Sequence, residues 1–362
     1  MFWVVVMTNR FNVDTYESLL SNKNIYVALQ KDFVFELRNK IKAIYGTLSS
    51  YNKNELKLKP CTFRYMFKKY AMTFQFSRIV KMSLDVGIPK EVVFDKIIGF
   101  RSSGSHSNGI IKIPRIIKID EDFLEGYSLY LAEGDTGLSG KKTPRKFRFT
   151  NSEIYVINHF IGWIRKYLPN LDFYINVIIP KDKDFQNIEK EHILQELNLP
   201  QNKIKFSSGS YNKKVKYRVC VDRSIVIDLF LSMEKTVKDI SLIYQDYASS
   251  YVRGIMIGEG TAYFNKYFYI KLEMKNEREV KFISHLLKNF NILHTIKERN
   301  DRLGMWTIFI GRRESILEFN RLVGFGVHIK RQAVLDRIID SISVNPDVAV
   351  TTRLLVAKAE KK

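Results

Sequence analysis

Long apolar runs are missing from this chain. The opening "MFWVVVMTNR" is too short to span a bilayer and no cleavage-site pattern follows it. The expectation is therefore a soluble protein without a secretion signal or a membrane partner, cytoplasmic or associated with an organelle or nucleoid. Cysteine is scarce. Cys61 and Cys220 lie far apart in no zinc-type spacing, which points to a reducing compartment. The histidines (His106, His159, His192, His285, His294 and His328) make no metal-ligand spacing either. "GTAYF" and "GSHSNG" lack the lysine and following helix of a phosphate-cradling loop. Acidic residues are also short: 38 Asp and Glu face 59 Lys and Arg, a net charge of +21. Such an excess suggests a polyanionic partner, because neutralised phosphates release counterions.

What is present is the material of a folded protein. With 45% apolar and 13% aromatic residues over 362 positions, two or three cored domains are expected. Residues 1–60, rich in Asn and Lys, read as partly helical structure of unclear fold. Residues 61–110 read as helical, so the N-terminal region as a whole is expected to be mostly helical. Within it, "RIVKMSLDVGIPKEVVFDKII" (78–98) has the outline of a helix-turn-helix, with a turn near Gly87 and Pro89 at the first position of the second helix. An ordinary helical hairpin fits equally well. "GFRSSGSHSNG" (99–109) reads as a polar linker.

From there the chain repeats. "GYSLYLAEG" (126–134) and "VRGIMIGEG" (252–260) are apolar helical runs ending on Glu133–Gly134 and Glu259–Gly260, 126 residues apart. A glycine just past a helix end is the usual stop. Each run leads into an alternation of strand pairs and helices, giving units at 111–240 and 241–345, the first with an insertion near 180–212. A basic tail, 346–362, follows.

The strands divide their side chains by alternation. In "KVKYRVCVD", Lys214, Lys216 and Arg218 share a face opposite Val215, Tyr217, Val219 and Val221. In "YFYIKLEMK", Tyr267, Tyr269, Lys271, Glu273 and Lys275 oppose Phe268, Ile270, Leu272 and Met274, and Lys146 and Arg148 alternate with Phe147 and Phe149. Each sheet is thus expected to have a dry side and a wet, strongly basic side. Arg299 and Arg312 join these cations as candidate DNA contacts. A solvated sheet face is the plainer alternative.

Just before each acid lie small residues one helical turn apart: Ser128 and Ala132 in the first run, Gly254 and Gly258 in the second. Such stripes let two helix backbones approach closely. If the helices pack through them, Glu133 and Glu259 emerge side by side. Two carboxylates at two helix C-termini repel, and a divalent cation resolves the conflict. Mg²⁺ suits hard oxygen ligands and accepts phosphate oxygens, so the arrangement suits phosphodiester cleavage. Asp135 either adds to that shell or faces solvent.

These two runs resemble the paired motifs of the LAGLIDADG homing endonucleases, over about 119–345. The second keeps Gly254 and the Gly-Glu-Gly ending; the first has Ser128 where the motif usually has glycine. The resemblance implies an α+β fold of two pseudo-symmetric αββαββα units forming a saddle over double-stranded DNA, in a free-standing monomer. It implies that Glu133 and Glu259 bind Mg²⁺ or Mn²⁺ with help from the backbone carbonyls of Ala132 and Gly258. A basic residue near a closing segment is also implied, with Lys330 the candidate in "LVGFGVHIKRQAVLDRII" and Lys235 a weaker one in the first unit. Three functions remain open: a site-specific DNA endonuclease, a DNA-binding regulator that keeps the scaffold without cleavage, and an intron maturase that grips RNA.

Overall fold

The computed structural model describes residues 11–67, 73–103, 109–135, 146–181, 190–209, 214–265 and 267–344. The expected basic tail lies outside them. The first elements are β1 (Phe11–Asp14), α1 (Thr15–Leu20), β2 (Ile25–Leu29), α2 (Lys31–Tyr45), α3 (Leu48–Tyr51) and α4 (Pro60–Met66). Then come β3 (Thr73–Gln75), α5 (Phe76–Leu84), α6 (Lys90–Asp95), β4 (Ile97–Ser102) and β5 (Ile116–Ile119).

This region is not simply helical: β3, β2 and β4 form an antiparallel sheet in that order, and β1 pairs with β5. "IYVAL" hides its strand character because Val27, Ala28 and Leu29 are all buried in succession, leaving no alternation to read. Nor is 99–109 wholly a linker, since residues 99–102 complete β4. Gly99 is required there by a crossing segment. A Cβ would fall 2.4 Å from Ile110 Cγ2 and 2.6 Å from the Ile111 carbonyl oxygen.

At 78–98 the turn at Gly87 adopts φ +75°, the left-handed region that favours glycine. Pro89 is the N-cap of α6 rather than its first helical residue. That helix spans only six residues and buries Val93 and Phe94, Phe94 lying edge-on to Tyr16. It is part of the N-terminal core rather than a projecting recognition helix.

The first repeat unit comprises α7 (Glu121–Glu133), β6 (Gly134–Asp135), β7 (Phe147–Asn151), α8 (Ile154–Tyr167) and β8 (Tyr174–Pro180). It continues through α9 (Lys190–Leu197), β9 (Ile204–Gly209), β10 (Lys216–Val221) and α10 (Ser224–Ser241). The second comprises α11 (Gln245–Glu259), β11 (Gly260–Phe264), β12 (Phe268–Met274) and α12 (Glu277–Asn289). It ends with β13 (Thr295–Glu298), β14 (Trp306–Ile310), α13 (Arg313–Leu322) and α14 (Ile329–Val344).

The sheet orders are β6-β7-β10-β8-β9 and β11-β12-β14-β13, so the second repeats the first four strands of the first. The insertion adds α9 and β9, the latter running parallel to β8 at the edge. Alternation places Phe147, Phe149, Val219, Val221 and Ile175 in the core of the first sheet, and Ile270, Leu272, Ile308 and Ile310 in that of the second. Tyr130 stacks on Phe147 at 4.1 Å, fixing α7 over its sheet. No helix among the described residues is long and apolar enough to cross a membrane.

The N-terminal elements dock on the first unit through a buried carboxylate. Asp228 on α10 accepts hydrogen bonds from Ser102 Oγ and, at 3.4 Å, from Asn22 Nδ2.

Candidate nucleic-acid interface and its acid pair

Helices α7 and α11 pack through their small residues. A Cβ on Gly254 would lie 2.1 Å from the Glu125 carbonyl oxygen and 2.1 Å from Ser128 Oγ. One on Gly258 would lie 2.5 Å from Ala132 Cβ and 3.0 Å from Glu133 Cγ. Ser128, Ala132, Gly254 and Gly258 therefore all stand in one seam, and the contact between backbones is possible only without side chains at 254 and 258. Ser128 Oγ turns back to donate to the Glu125 carbonyl at 3.1 Å, which is how a serine is accommodated opposite Gly254. Arg253 crosses the seam to Glu125 at 3.2 Å and also donates to the carbonyls of Val323 and Leu322.

The two motif glycines do not make left-handed helix stops. Gly134 and Gly260 have φ of −81° and −75° and pass straight into β6 and β11. Their bare Cα is needed for another reason: a Cβ would meet the Tyr130 carbonyl oxygen at 2.3 Å or that of Met256 at 2.6 Å.

Glu133 and Glu259 come out at the mouth of the seam, both half-buried. Burial, and then the neighbouring Glu259, push the Glu133 carboxyl up to about 7, against the pull of Arg331, Lys216 and Asn151. Burial raises Glu259 as well, opposed by Arg331 and Arg302. Asn151 Nδ2 donates to Glu133 Oε1 at 3.1 Å, and its own Oδ1 accepts from the Glu153 backbone at 2.9 Å. The equivalent strand position in the second unit is Met274, so only one acid has such a partner.

The cation at the site is Arg331, one position beyond the expected Lys330. Its Nη1 donates to the carbonyl oxygens of Met256 at 3.0 Å, Ile257 at 2.7 Å and Gly258 at 2.9 Å. It thus neutralises the C-terminal end of α11. Burial lowers its pKa while Glu133 and Glu259 hold it up. Lys330 turns away, donating at 2.6 Å to Glu153 of the first unit. Gly324 and Gly326, at φ +62° and +48°, make the turn that brings α14 to this place. Lys235 is exposed on α10 and pairs with Asp239. Asp135 is exposed; its backbone carbonyl accepts from Tyr130 Oη, and it pairs opposite Arg148 in the sheet.

Carboxylates of this kind suit a hard cation such as Mg²⁺ or Mn²⁺. Glu133, Glu259 and the Ala132 carbonyl fit that demand. The Gly258 carbonyl is the poorer ligand, because the Arg331 guanidinium 2.9 Å away takes one of its lone pairs and repels a cation. Among the described residues no group of three or more His, Cys, Asp and Glu side chains converges.

The two wet sheet faces differ from one another. On the first, Lys146, Arg148, Lys205, Lys216 and Arg218 stand among Thr150, Asn176 and Ser207. Lys214 lies just before β10 and is exposed. Lys146 pairs with Asp222 at 2.8 Å, and Arg218 donates to Thr150 at 3.0 Å. The second face is less basic than the first, although Lys297, opposite Thr307, stands exposed on it with no ion-pair partner among the described residues. Glu273 accepts Lys271 at 3.1 Å and Arg299 at 2.7 Å, and Arg299 also binds Asp301. Lys275 and Arg312 lie exposed at the ends of β12 and α13.

Beside these charges the second face carries an aromatic ridge. Tyr263 stacks on Tyr269 at 4.9 Å, and Tyr269 meets Phe309 at 4.9 Å. Tyr263 and Phe309 had no signal of their own in the sequence. Only the strand register (Tyr263 opposite Tyr269, Phe309 opposite Lys271) brings them to the face.

Residues 246–324 match the LAGLIDADG-like domain family. No curated protein matches the chain. Among solved structures, I-DmoI in complex with DNA and Mn is similar at 13% identity and a TM-score of 0.37, covering 57% of this chain and 98% of that one. The N-terminal LAGLIDADG domain of DUF199/WhiA gives 16% and 0.34, covering 56% and 82%. Full-length DUF199/WhiA from Thermatoga maritima gives 17% and 0.39, covering 67% and 68%. With α7 and α11 meeting through a small-residue seam, and the family match falling on the second of them and its sheet, this α+β chain contains a LAGLIDADG-like domain.

Proposed function

We propose that this chain is a sequence-specific duplex-DNA-binding protein, built on a LAGLIDADG scaffold, that holds its site without cutting it. In this reading the two units are related by a pseudo-two-fold axis along the α7–α11 seam, and one monomer spans the DNA as a saddle. Lys146, Arg148, Lys216 and Arg218 contact phosphates and base edges on one half-site, and the Tyr263–Tyr269–Phe309 ridge meets the other. The single observation that carries the absence of cleavage is Arg331. A tethered guanidinium occupies the Gly258 carbonyl, the oxygen at which the second motif would offer a metal ligand.

A second reading, metal-dependent cleavage at a long duplex site, is favoured by one observation. Both carboxylates are kept at adjoining helix ends, with Asn151 holding Glu133. There, Glu133, Glu259 and the Ala132 carbonyl would hold Mg²⁺ or Mn²⁺, which supplies charge neutralisation and an activated water at a phosphate.

The test is selection of bound sequences from a randomised duplex pool, with chelator present. One enriched sequence supports the reading. No enrichment from the pool, or retention of structured intron RNA in preference to duplex, sinks it.

A further inference from the structure

The N-terminal third carries more than half of the surplus charge. Residues 1–119 hold 20 Lys and Arg against 8 Asp and Glu, an excess of +12 in a chain of +21. Most acids of this region are already matched: Asp14 and Asp95 with Arg115, Glu17 with Lys90, Glu55 and Asp85 with Lys81. The cations left over are not scattered evenly. Helix α2 buries Phe33, Leu37 and Ile41 and places Lys31, Phe35, Arg38 and Lys42 at i, i+4, i+7 and i+11, a second stripe about 120° around the axis. Of its two acids, Glu36 faces away and pairs with Lys40 at 3.3 Å, while Asp32 is exposed to the side of the stripe next to Lys31. Lys31, Arg38 and Lys42 have no ion-pair partner among the described residues; Lys31 and Lys42 are exposed, while Arg38 is half-buried with its Nε out of solvent and without an acceptor there. Phe35, in the middle of the stripe, is 65% exposed.

An exposed phenylalanine alone is ordinary. Set among three unpaired cations spread over about 16 Å of helix, it completes a surface with both parts of a nucleic-acid contact. Cations meet successive phosphates, and a ring meets sugar or base edge. We propose that the Lys31–Phe35–Arg38–Lys42 face of α2 binds the backbone of duplex DNA flanking the central site, lengthening the footprint on one side. The inference rests on the duplex-DNA reading above. The hydrogen bonds from Asn22 and Ser102 to Asp228 on α10 tie the N-terminal elements to the first unit, so both surfaces belong to one body.

The experiment follows binding of the full chain to a mixed-sequence duplex of roughly 40 base pairs by fluorescence anisotropy across salt concentration. Two charge variants are compared: Lys31→Gln/Arg38→Gln/Lys42→Gln on the stripe and Lys216→Gln/Arg218→Gln on the central face. The stripe variant is expected to reduce the slope of log affinity against log salt by about 2–3, independently of the central variant. Phe35→Ala, which removes no charge, is expected to weaken binding roughly tenfold at an unchanged slope. An unchanged slope in the stripe variant, with a reduced slope in the central one, overturns the stripe while leaving the DNA reading intact. A wild-type chain that ignores the duplex even at about 50 mM salt overturns both. A stripe that matters only for a hairpin RNA overturns the choice of duplex DNA.

Discussion

Arg331 Nη1 lies 2.9 Å from the carbonyl oxygen of Gly258, so a side chain from the last helix closes the end of the helix that bears Glu259. The same guanidinium is the strongest compensating charge for both acids. Replacing it with methionine removes the charge that offsets two half-buried carboxylates and the side-chain donor to the carbonyls of Ile257 and Gly258. Arg331→Met is expected to cost about 3 kcal/mol in chemical denaturation. Mn²⁺ should then raise the melting temperature of the variant by several degrees more than that of the wild type, since the ion can take the vacated place.

The acid pair sets a pH dependence whose sign is fixed by its direction. Glu133 is held up near 7 in the folded chain, above its unfolded value of 4.5, so the folded state binds more protons between them. Stability therefore falls as pH rises through that window and levels off above it. Glu133→Gln should flatten this slope and raise stability at pH 8 by on the order of 2 kcal/mol, read from urea midpoints at both ends of the window.

Two glycine-to-alanine changes should move stability in opposite directions. Gly254→Ala drives a methyl into the Glu125 carbonyl and Ser128, and is expected to cost roughly 2–4 kcal/mol as the seam is forced apart. Gly162 in α8 has nothing within 4 Å of its would-be Cβ. Gly162→Ala should stabilise by about 0.5–1 kcal/mol through helix propensity and the unfolded state.

Much of this arrangement is legible from the residues alone, and the reasons are local. The seam shows because small residues recur at i and i+4 just before two acids. The wet faces show because Lys146, Arg148, Lys216 and Arg218 alternate with apolar residues. Arg331 does not show, because its place depends on the Gly324–Gly326 turn bringing α14 back to α11, and Lys330 beside it is an equally good cation on paper. The N-terminal sheet is hidden for a different reason: β2 is buried on both faces and β3 is three residues long, so neither carries a period. The lower charge of the second sheet face could not be read from Lys271 and Arg299 singly. It comes from Glu273 lying between them and Asp301 beside Arg299, which leave Lys275 and Lys297 as its surplus.

That pairing gives an unequal prediction for the two half-sites. Lys216→Gln should weaken duplex binding and reduce the salt slope by about 1, because the lysine is exposed and faces the proposed DNA. Arg299→Gln should change the slope less, since Arg299 is already committed to Glu273 and Asp301. Anisotropy titrations of both variants against wild type decide it.

The most direct test places the selected duplex with excess full-length chain in Mg²⁺ and in Mn²⁺ and follows the DNA on denaturing gels. A stable complex with both strands intact is expected, because Arg331 holds the end of α11. Breaks in both strands that disappear with Glu133→Gln or Glu259→Gln would contradict it and establish cleavage as the function of the acid pair.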